Sequence, residues 1–319
     1  MSERIHTLIA VLSAATLSLT LPTAFAQPCE PTWSGSVGVP GLNDTVWRMT
    51  VFDDGTGAAV YAGGDFTLAG DVVANRIAKW DGRAWSALGA GMNDRVFAVN
   101  AFDDGSDGCL YAGGSFTEAG GVLATHIAKW NGYGWSGVGG GTDGVVYRFC
   151  VFDDGTGRAL YVSGAFTEAG GVPASGVARW NGTAWSPLGD GLSGEAGPHV
   201  EALAIYDDGS GPALYAGGDF THAGDLEVNG IAKWDGSAWS ALGSGVDGGV
   251  WTLMVFDDGN GSALYAGGHF QEAGGVGANY IAKWDGNEWS AVGGGVSSTA
   301  VNIIPSFAVT AWLGPGSLE

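Results

Sequence analysis

Apolar and polar residues alternate along this chain in short runs that end at glycine-rich turns. From Val96 to Phe102 apolar residues alternate with others, and the turn Asp103-Asp104-Gly105 follows. Similar turns separate the later runs Leu110 to Gly114, Ile127 to Trp130 and Trp135 to Gly139. Short alternating runs bounded by Gly, Asn and Asp predict β-strands. The pattern therefore predicts four short strands that form one antiparallel sheet.

The same four-strand pattern occurs five times, and we number the copies unit 1 to unit 5. Their shared tyrosines and their Asp-Asp-Gly turns both advance by 50, 50, 54 and 50 residues. Four-stranded units at a period of about 50 residues typically stack radially as the blades of a β-propeller. The 59 glycines among 319 residues, and the lack of helical periodicity, disfavour helices. The tyrosines are Tyr61, Tyr111, Tyr161, Tyr215 and Tyr265, and the turns begin at Asp53, Asp103, Asp153, Asp207 and Asp257.

We therefore predict an all-β chain, a β-propeller of five complete four-stranded blades. Each unit also has two tryptophans, at Trp80 and Trp85 in unit 1. Buried aromatic side chains each remove roughly 150 to 250 Å² from water. The tyrosine and the two tryptophans of each unit are therefore expected to fill the space between neighbouring blades.

The two ends of the chain depart from the repeat. Residues 1–26 have Arg4, an apolar run and the small residues Ala24-Phe25-Ala26, as a secretory signal peptide does. We expect a propeller over residues 27–300 and a secreted, periplasmic or cell-surface protein with no membrane span after cleavage. Residues 33–44 look like a lone fourth strand, and residues 301–319 begin a first strand and then become irregular. Either five blades close directly or a rudimentary or truncated sixth is present, and an unpaired edge would favour self-association.

A double glycine ends the second strand, an aromatic residue ends the third, and a tryptophan follows shortly after. In unit 1 these are Gly63-Gly64, Trp80 and Trp85. The arrangement resembles the kelch motif, with Trp80 where kelch repeats usually have Tyr. It is still more similar to the glycine-rich, kelch-like repeats of exported bacterial proteins and of fungal cortical cell-polarity markers. The resemblance covers residues 46–296 and implies a propeller that serves as a binding platform or scaffold more often than as an enzyme.

Charge and cysteine content limit the functions to consider. The net charge of -21 disfavours binding to nucleic acid and to anionic lipid. The three cysteines, Cys29, Cys109 and Cys150, share no register in the repeat and so do not indicate a disulfide framework.

Turns that follow the first and third strands are expected to share one strongly acidic face of the propeller. Calcium is one ligand for its carboxylates, but Asp-Gly is also what a tight turn requires, so we predict no cofactor or metal. We expect the cation of each unit to stack on an aromatic residue and to offset the acidic ring. These cations are Lys79, Lys129, Arg179, Lys233 and Lys283.

The opposite face carries positions at which the five units differ. The position after the double glycine varies, and so does the position before the third strand. Diversified loops on a uniform scaffold typically carry a binding site, although drift in unconstrained loops would give the same pattern. The residues predicted to bind a ligand are Asp65, Arg76, His126, Asp219, His269 and Tyr280.

No catalytic motif supports an enzyme. Three Gly-x-Gly-x-x-Gly segments, the first at residues 139–144, precede strands and not helices, so they do not indicate a nucleotide site. Of the 14 tryptophans, ten occupy the two repeated positions, while Trp47 and Trp251, with Tyr280, are freer aromatic residues. The sequence predicts a non-enzymatic, extracytoplasmic binding module for a protein or a surface polysaccharide. A lectin-type propeller is the alternative, and a propeller enzyme comes third.

Overall fold

The computed structural model describes residues 41–105, 108–195 and 197–296. All regular structure in these ranges is β, without a helix, and hence without a helix able to span a membrane. Each unit forms one four-stranded antiparallel sheet with its strands in chain order. The signal-like segment 1–26, the rest of the lone N-terminal strand and the segment 301–319 lie outside the described residues.

The strands recur at matching positions in the five units. First strands are Val46–Asp53, Val96–Phe102, Val145–Asp153, Val200–Asp207 and Gly249–Asp257. Second strands are Ala58–Gly64, Cys109–Gly114, Arg158–Ala165, Pro212–Gly218 and Ser262–His269. Third strands are Ile77–Trp80, Ile127–Trp130, Val177–Trp180, Ile231–Trp234 and Ile281–Trp284. Fourth strands are Trp85–Ala87, Trp135–Gly137, Trp185–Pro187, Trp239–Ala241 and Trp289–Ala291.

A short hairpin of two-residue strands joins the second and third strands, where the sequence predicts only a turn. It also pairs with the segment that precedes the first strand, as in the bridge between Met92 and Ala119. In unit 4 that segment forms a strand of its own, Leu192–Ser193. The hairpins are Leu68–Ala69 with Val72–Val73, Glu118–Ala119 with Val122–Leu123, Glu168–Ala169 with Val172–Pro173, His222–Ala223 with Leu226–Glu227, and Glu272–Ala273 with Val276–Gly277.

Neighbouring sheets pack face to face, and their first strands lie next to each other. Between units 1 and 2, the buried Tyr61 and Ile77 share one apolar cluster with Leu110, Trp130 and Trp135. The Trp135 indole also donates a hydrogen bond of 2.8 Å across this junction to the Leu88 carbonyl. The arrangement is that of β-propeller blades, with tyrosine and tryptophan between them as predicted.

Four of the five units have a double glycine at the end of the second strand, and unit 3 has Ser163-Gly164. In unit 2 the packing leaves little room for a side chain at either glycine. A Cβ on Gly113 would lie 2.5 Å from the Val146 side chain of the next unit. A Cβ on Gly114 would overlap the carbonyl oxygen of Arg95 in its own unit. The missing side chain of the first glycine therefore allows the neighbouring blade to pack closely. The missing side chain of the second allows close approach of the segment that leads into the first strand of the same unit.

Candidate functional site

One end of the blades, which we call the invariant end, carries the Asp-Asp-Gly turns. In unit 1, Asp54 accepts hydrogen bonds from Lys79 at 2.7 Å and from the Tyr61 hydroxyl at 2.7 Å. Burial alone would raise the pKa of Asp54, but the hydrogen bonds from Lys79, Thr56 and Tyr61 hold it well below its usual value. Lysines form the same ion pair in units 2, 4 and 5, and in unit 3 Arg179 lies 3.8 Å from Asp154.

In units 1, 4 and 5 the repeated lysine packs over the tyrosine of its own unit. The Lys79 ammonium lies 5.6 Å from the centre of the Tyr61 ring, its neighbour on the second strand. The first aspartate of the turn has a structural partner as well, because Asp53 Oδ1 accepts the amides of Gly55 and Gly57. Among the described residues, no group of three or more His, Cys, Asp or Glu side chains is arranged to hold a metal ion. The aspartates of this end therefore serve turn geometry and ion pairing.

The opposite end, which we call the variable end, begins with a β-bulge in every first strand. In unit 1 the register shifts between Val46 and Arg48, so Trp47 has no partner on the second strand. A bulge turns the extra residue out of the regular alternation of the strand. The five bulge residues are Trp47, Phe97, Tyr147, Glu201 and Trp251.

Each bulge lies beside the position that follows the double glycine. In unit 1 the Trp47 indole donates a hydrogen bond of 3.0 Å to Asp65, and Arg95 of unit 2 lies 3.6 Å from the same carboxylate. In unit 5 the Trp251 ring stacks on His269 at 5.9 Å, and His269 contacts Tyr280 at 6.1 Å. The structure therefore brings two of the predicted residues, Asp65 and His269, against bulge residues, and it places Tyr280 against His269.

Aromatic side chains of successive units also touch one another at the variable end. Trp47 contacts Phe97 with ring centres 5.5 Å apart, and Phe97 contacts Tyr147 at 5.7 Å. Tyr147 in turn stacks on His199 at 6.4 Å. A row of aromatic side chains thus runs across units 1 to 4 along the first strands.

Glu201 interrupts the aromatic series in unit 4. Burial and the nearby Asp219 raise the pKa of this half-buried carboxyl to about 7, against the opposing effect of Arg148. Burial, and then the charge of Arg48, lower the pKa of Arg148 to about 10 against the opposing effect of Glu201. The variable end therefore holds charges that are only partly compensated, unlike the ion pairs of the invariant end.

Arg76, His126 and Tyr280 share one backbone register with a left-handed conformation. Their φ angles are 63°, 63° and 72°, where units 3 and 4 have Gly176 and Gly230. His126 Nδ1 lies 2.9 Å from the Thr142 carbonyl and must donate this hydrogen bond, because a carbonyl only accepts. Of these three residues only Tyr280 contacts the aromatic rings within the described part of the chain.

Two adjoining cavities open at the variable end of units 4 and 5. The larger, about 610 Å³, is lined in part by Glu195, Asp219, Asn229, Asp247 and Glu272. The smaller, about 210 Å³, shares Asp247 and Gly248 with it and is also lined by His269, Gln271 and Tyr280. A separate cavity of about 390 Å³ between units 2 and 3 has Arg95, Phe97, Ser115 and Tyr147 in its wall.

The repeat pattern of the sequence did not indicate Phe97, Tyr147 and Glu201 as members of this end. These residues can be located because the alternation of apolar and polar positions in each first strand shifts by one residue at the bulge. Val96 and Val99 belong to the same cluster against unit 1, although three positions separate them. An apolar pair with this spacing recurs in every unit, from Val46 with Met49 to Val250 with Leu253, and the bulge residue directly follows its first member.

No family model matches the chain, and no curated protein matches it. Among solved structures, two of the extracellular domain of BT4673 from B. thetaiotaomicron are similar at 11% and 12% identity, with TM-scores of 0.38 and 0.39. Both matches cover 80% of this chain and 34% of that one. An ancestral GH74 enzyme is similar at 18% identity and a TM-score of 0.38, over 79% of this chain and 39% of that one. The chain thus spans little more than a third of the proteins it matches.

Proposed function

We propose that this chain is a non-enzymatic binding module that acts outside the cytoplasm and holds a protein or a surface polysaccharide at its variable end. The carrying observation is the contrast between the two ends of the blades. At the invariant end, the same aspartate, tyrosine and cation meet in all five units. At the variable end, corresponding positions also lie close together, but the residue types at these positions differ from unit to unit.

The chemistry of the variable end supports binding. Aromatic side chains supply large contact areas, and hydrogen-bonding groups such as Asp65, Asp219 and His269 lie beside them. Ligand cavities typically combine aromatic walls with a few placed polar groups. Export is supported by the signal-like segment 1–26, and the absence of catalytic motifs from the sequence favours binding without turnover.

A lectin-type function is the second candidate, and the stack of Trp251, His269 and Tyr280 favours it. Aromatic side chains with polar neighbours suit sugar rings, which present both apolar faces and hydroxyl groups. If the chain is a lectin, free glycans should displace the ligand bound at this site. If the ligand is a protein bound elsewhere on the variable end, free glycans should not displace it.

The test compares the wild-type chain with a double variant, His269→Ala with Tyr280→Gly, on arrays of glycans and of purified exported proteins. Both replacements occur naturally in unit 3, as Ala165 and Gly176, so the blade should keep its fold. We expect wild-type binding that the double variant loses, with an unchanged circular dichroism spectrum.

Tyr133→Ala is the matched control, because Tyr133 is 93% exposed in the turn after the third strand, at the invariant end. It should leave binding intact. Binding that the double variant retains and Tyr133→Ala abolishes would contradict the proposed location. Release of cleaved product from any bound glycan would contradict a non-enzymatic role.

A further inference from the structure

We infer that the two adjoining cavities of units 4 and 5 form a subsite for a neutral oligosaccharide. The inference rests on the proposed function and names the ligand class for one part of the variable end. Three features carry it, namely the space, the hydrogen-bond acceptors and the aromatic wall.

Two glycines at or next to the larger cavity stand where other units have side chains. Gly230 stands where units 1, 2 and 5 have Arg76, His126 and Tyr280, and a Cβ on it would lie 2.7 Å from the Gly248 carbonyl. Gly249 stands in the register of Thr45 and Arg95, and its missing side chain leaves room for the Asp219 carboxylate, which a Cβ would overlap. The cavity of about 610 Å³ has the size of a small-molecule site.

The polar groups of the larger cavity are mainly acceptors. Glu195, Asp219, Asp247 and Glu272 contribute carboxylates to its wall. Asp247 is held in place, since its Oδ1 accepts the amides of Gln271 at 2.7 Å and Glu272 at 2.8 Å. Hydroxyl groups of a sugar donate to carboxylates in hydrogen bonds about twice as strong as neutral ones.

The smaller cavity adds an aromatic wall to these acceptors. Tyr280 and His269 line it, and His269 stacks in turn on Trp251 with an interplanar angle of 19°. Because these side chains already hold each other in place, they lose little conformational entropy when a ligand packs on them. A sugar can place its apolar face on this wall and direct its hydroxyl groups toward Asp247, which borders both cavities.

Charge restricts which saccharide fits. Within the described part of the chain, neither cavity is lined by lysine or arginine. Uronic acids and sulfated sugars would meet four carboxylates in a protein of net charge -21 and be repelled. A basic peptide is attracted by the same charges, but an open cavity bordered by stacked rings offers a sugar both an apolar surface and hydrogen-bond acceptors.

The test is calorimetric titration of the full chain with cellohexaose, xylohexaose, laminarihexaose and mannohexaose, alongside oligogalacturonate and oligolysine. At least one neutral oligosaccharide should bind at one site, with an affinity that changes little with salt because no ion pair forms. His269→Ala with Tyr280→Gly should weaken this binding on the order of tenfold or more. Asp219→Ser, which copies Ser115 of unit 2, should do the same, and Tyr133→Ala should not.

The other outcomes separate this inference from the proposed function. Salt-sensitive binding of oligolysine, without binding of any neutral oligosaccharide, would overturn the sugar subsite and leave a binding module in place. Neutral oligosaccharide binding that survives both variants would overturn the location. Failure of all six probes here, together with blank arrays of glycans and proteins, would contradict the inference and the proposed function together.

Discussion

Carboxylates at the two ends of a blade differ in how fully neighbouring groups compensate their charge. Asp54 is compensated by Lys79 and Tyr61, and the corresponding groups repeat in each unit. Glu201 lies at a bulge in the series of aromatic bulge residues. The charge of Arg148 stabilises its ionised form, and the charge of Asp219 destabilises it. A buried carboxyl that lacks full compensation destabilises the fold when it is ionised.

Replacing Glu201 by Gln should reveal this cost as a pH-dependent gain in stability. The pKa of Glu201 is raised from 4.5 to about 7 on folding, so its ionised form destabilises the protein as the pH rises through this interval. Glu201→Gln should therefore raise the free energy of unfolding at pH 8 by about 1 to 2 kcal/mol, after allowance for partial exposure and for the lost attraction of Arg148. Urea unfolding at several pH values measures the effect.

The control for this prediction is Glu168→Gln, at an exposed position of the short hairpin in unit 3. It should change stability little at any pH. The gain from Glu201→Gln should vanish near pH 4, where Glu201 is protonated in both the folded and the unfolded chain. A gain that is equal at pH 4 and pH 8 would contradict the electrostatic explanation.

At the scale of elements, the turn after the third strand connects neighbouring blades. The Asn-Gly or Asp-Gly turn of one unit packs on the Asp-Asp-Gly turn of the preceding unit. A Cβ on Gly182 of unit 3 would lie 2.8 Å from the Asp104 carbonyl of unit 2, whereas a Cβ on Gly82 of unit 1 would meet nothing within 4 Å. The turns therefore serve both the hairpin and the junction between blades.

Two glycine-to-alanine variants separate these roles. Gly82 and Gly182 have nearly equal φ angles of 94° and 98°, so alanine strains both turns alike. Gly82→Ala should lower the free energy of unfolding by about 1 kcal/mol from backbone strain alone. Gly182→Ala should lower it by about 2 kcal/mol or more, because its Cβ also presses on the neighbouring blade. Equal losses in urea unfolding would contradict the packing of the two turns.

The elements show which features the sequence could predict. The four main strands were predictable because each has a clear alternation or an Ile-Ala-Lys-Trp core bounded by turn residues. The short hairpins were not, because strands of two residues, such as Glu118–Ala119, are too short to show any periodicity. The bulges were hidden because an inserted residue shifts the alternation without changing composition. The sequence therefore predicted that Asp65, His269 and Tyr280 share one face, but it did not indicate the bulge residues Trp47 and Trp251, which Asp65 and His269 contact.

For the whole molecule, the contacts between blades run in chain order from unit 1 to unit 5. The first strand of unit 1 carries two exposed apolar side chains. Met49 and Val51 are 61% and 65% exposed, whereas Val99, which corresponds to Met49 in unit 2, is 4% exposed. The repeat in the sequence predicts each of the five described blades but carries no information on how a ring of blades closes. The variable end, by contrast, lies within the described blades.

The most direct test of the central claim is hydroxyl-radical footprinting of the full chain with the tightest ligand from the arrays. Side chains covered by a ligand are oxidised more slowly, and mass spectrometry identifies them. We predict protection of Trp251, His269 and Tyr280, with Tyr133 oxidised as fast as in the free chain. Protection of Tyr133 and of the Asp-Asp-Gly turns, with the three rings unprotected, would contradict the account, because it would place the ligand at the invariant end.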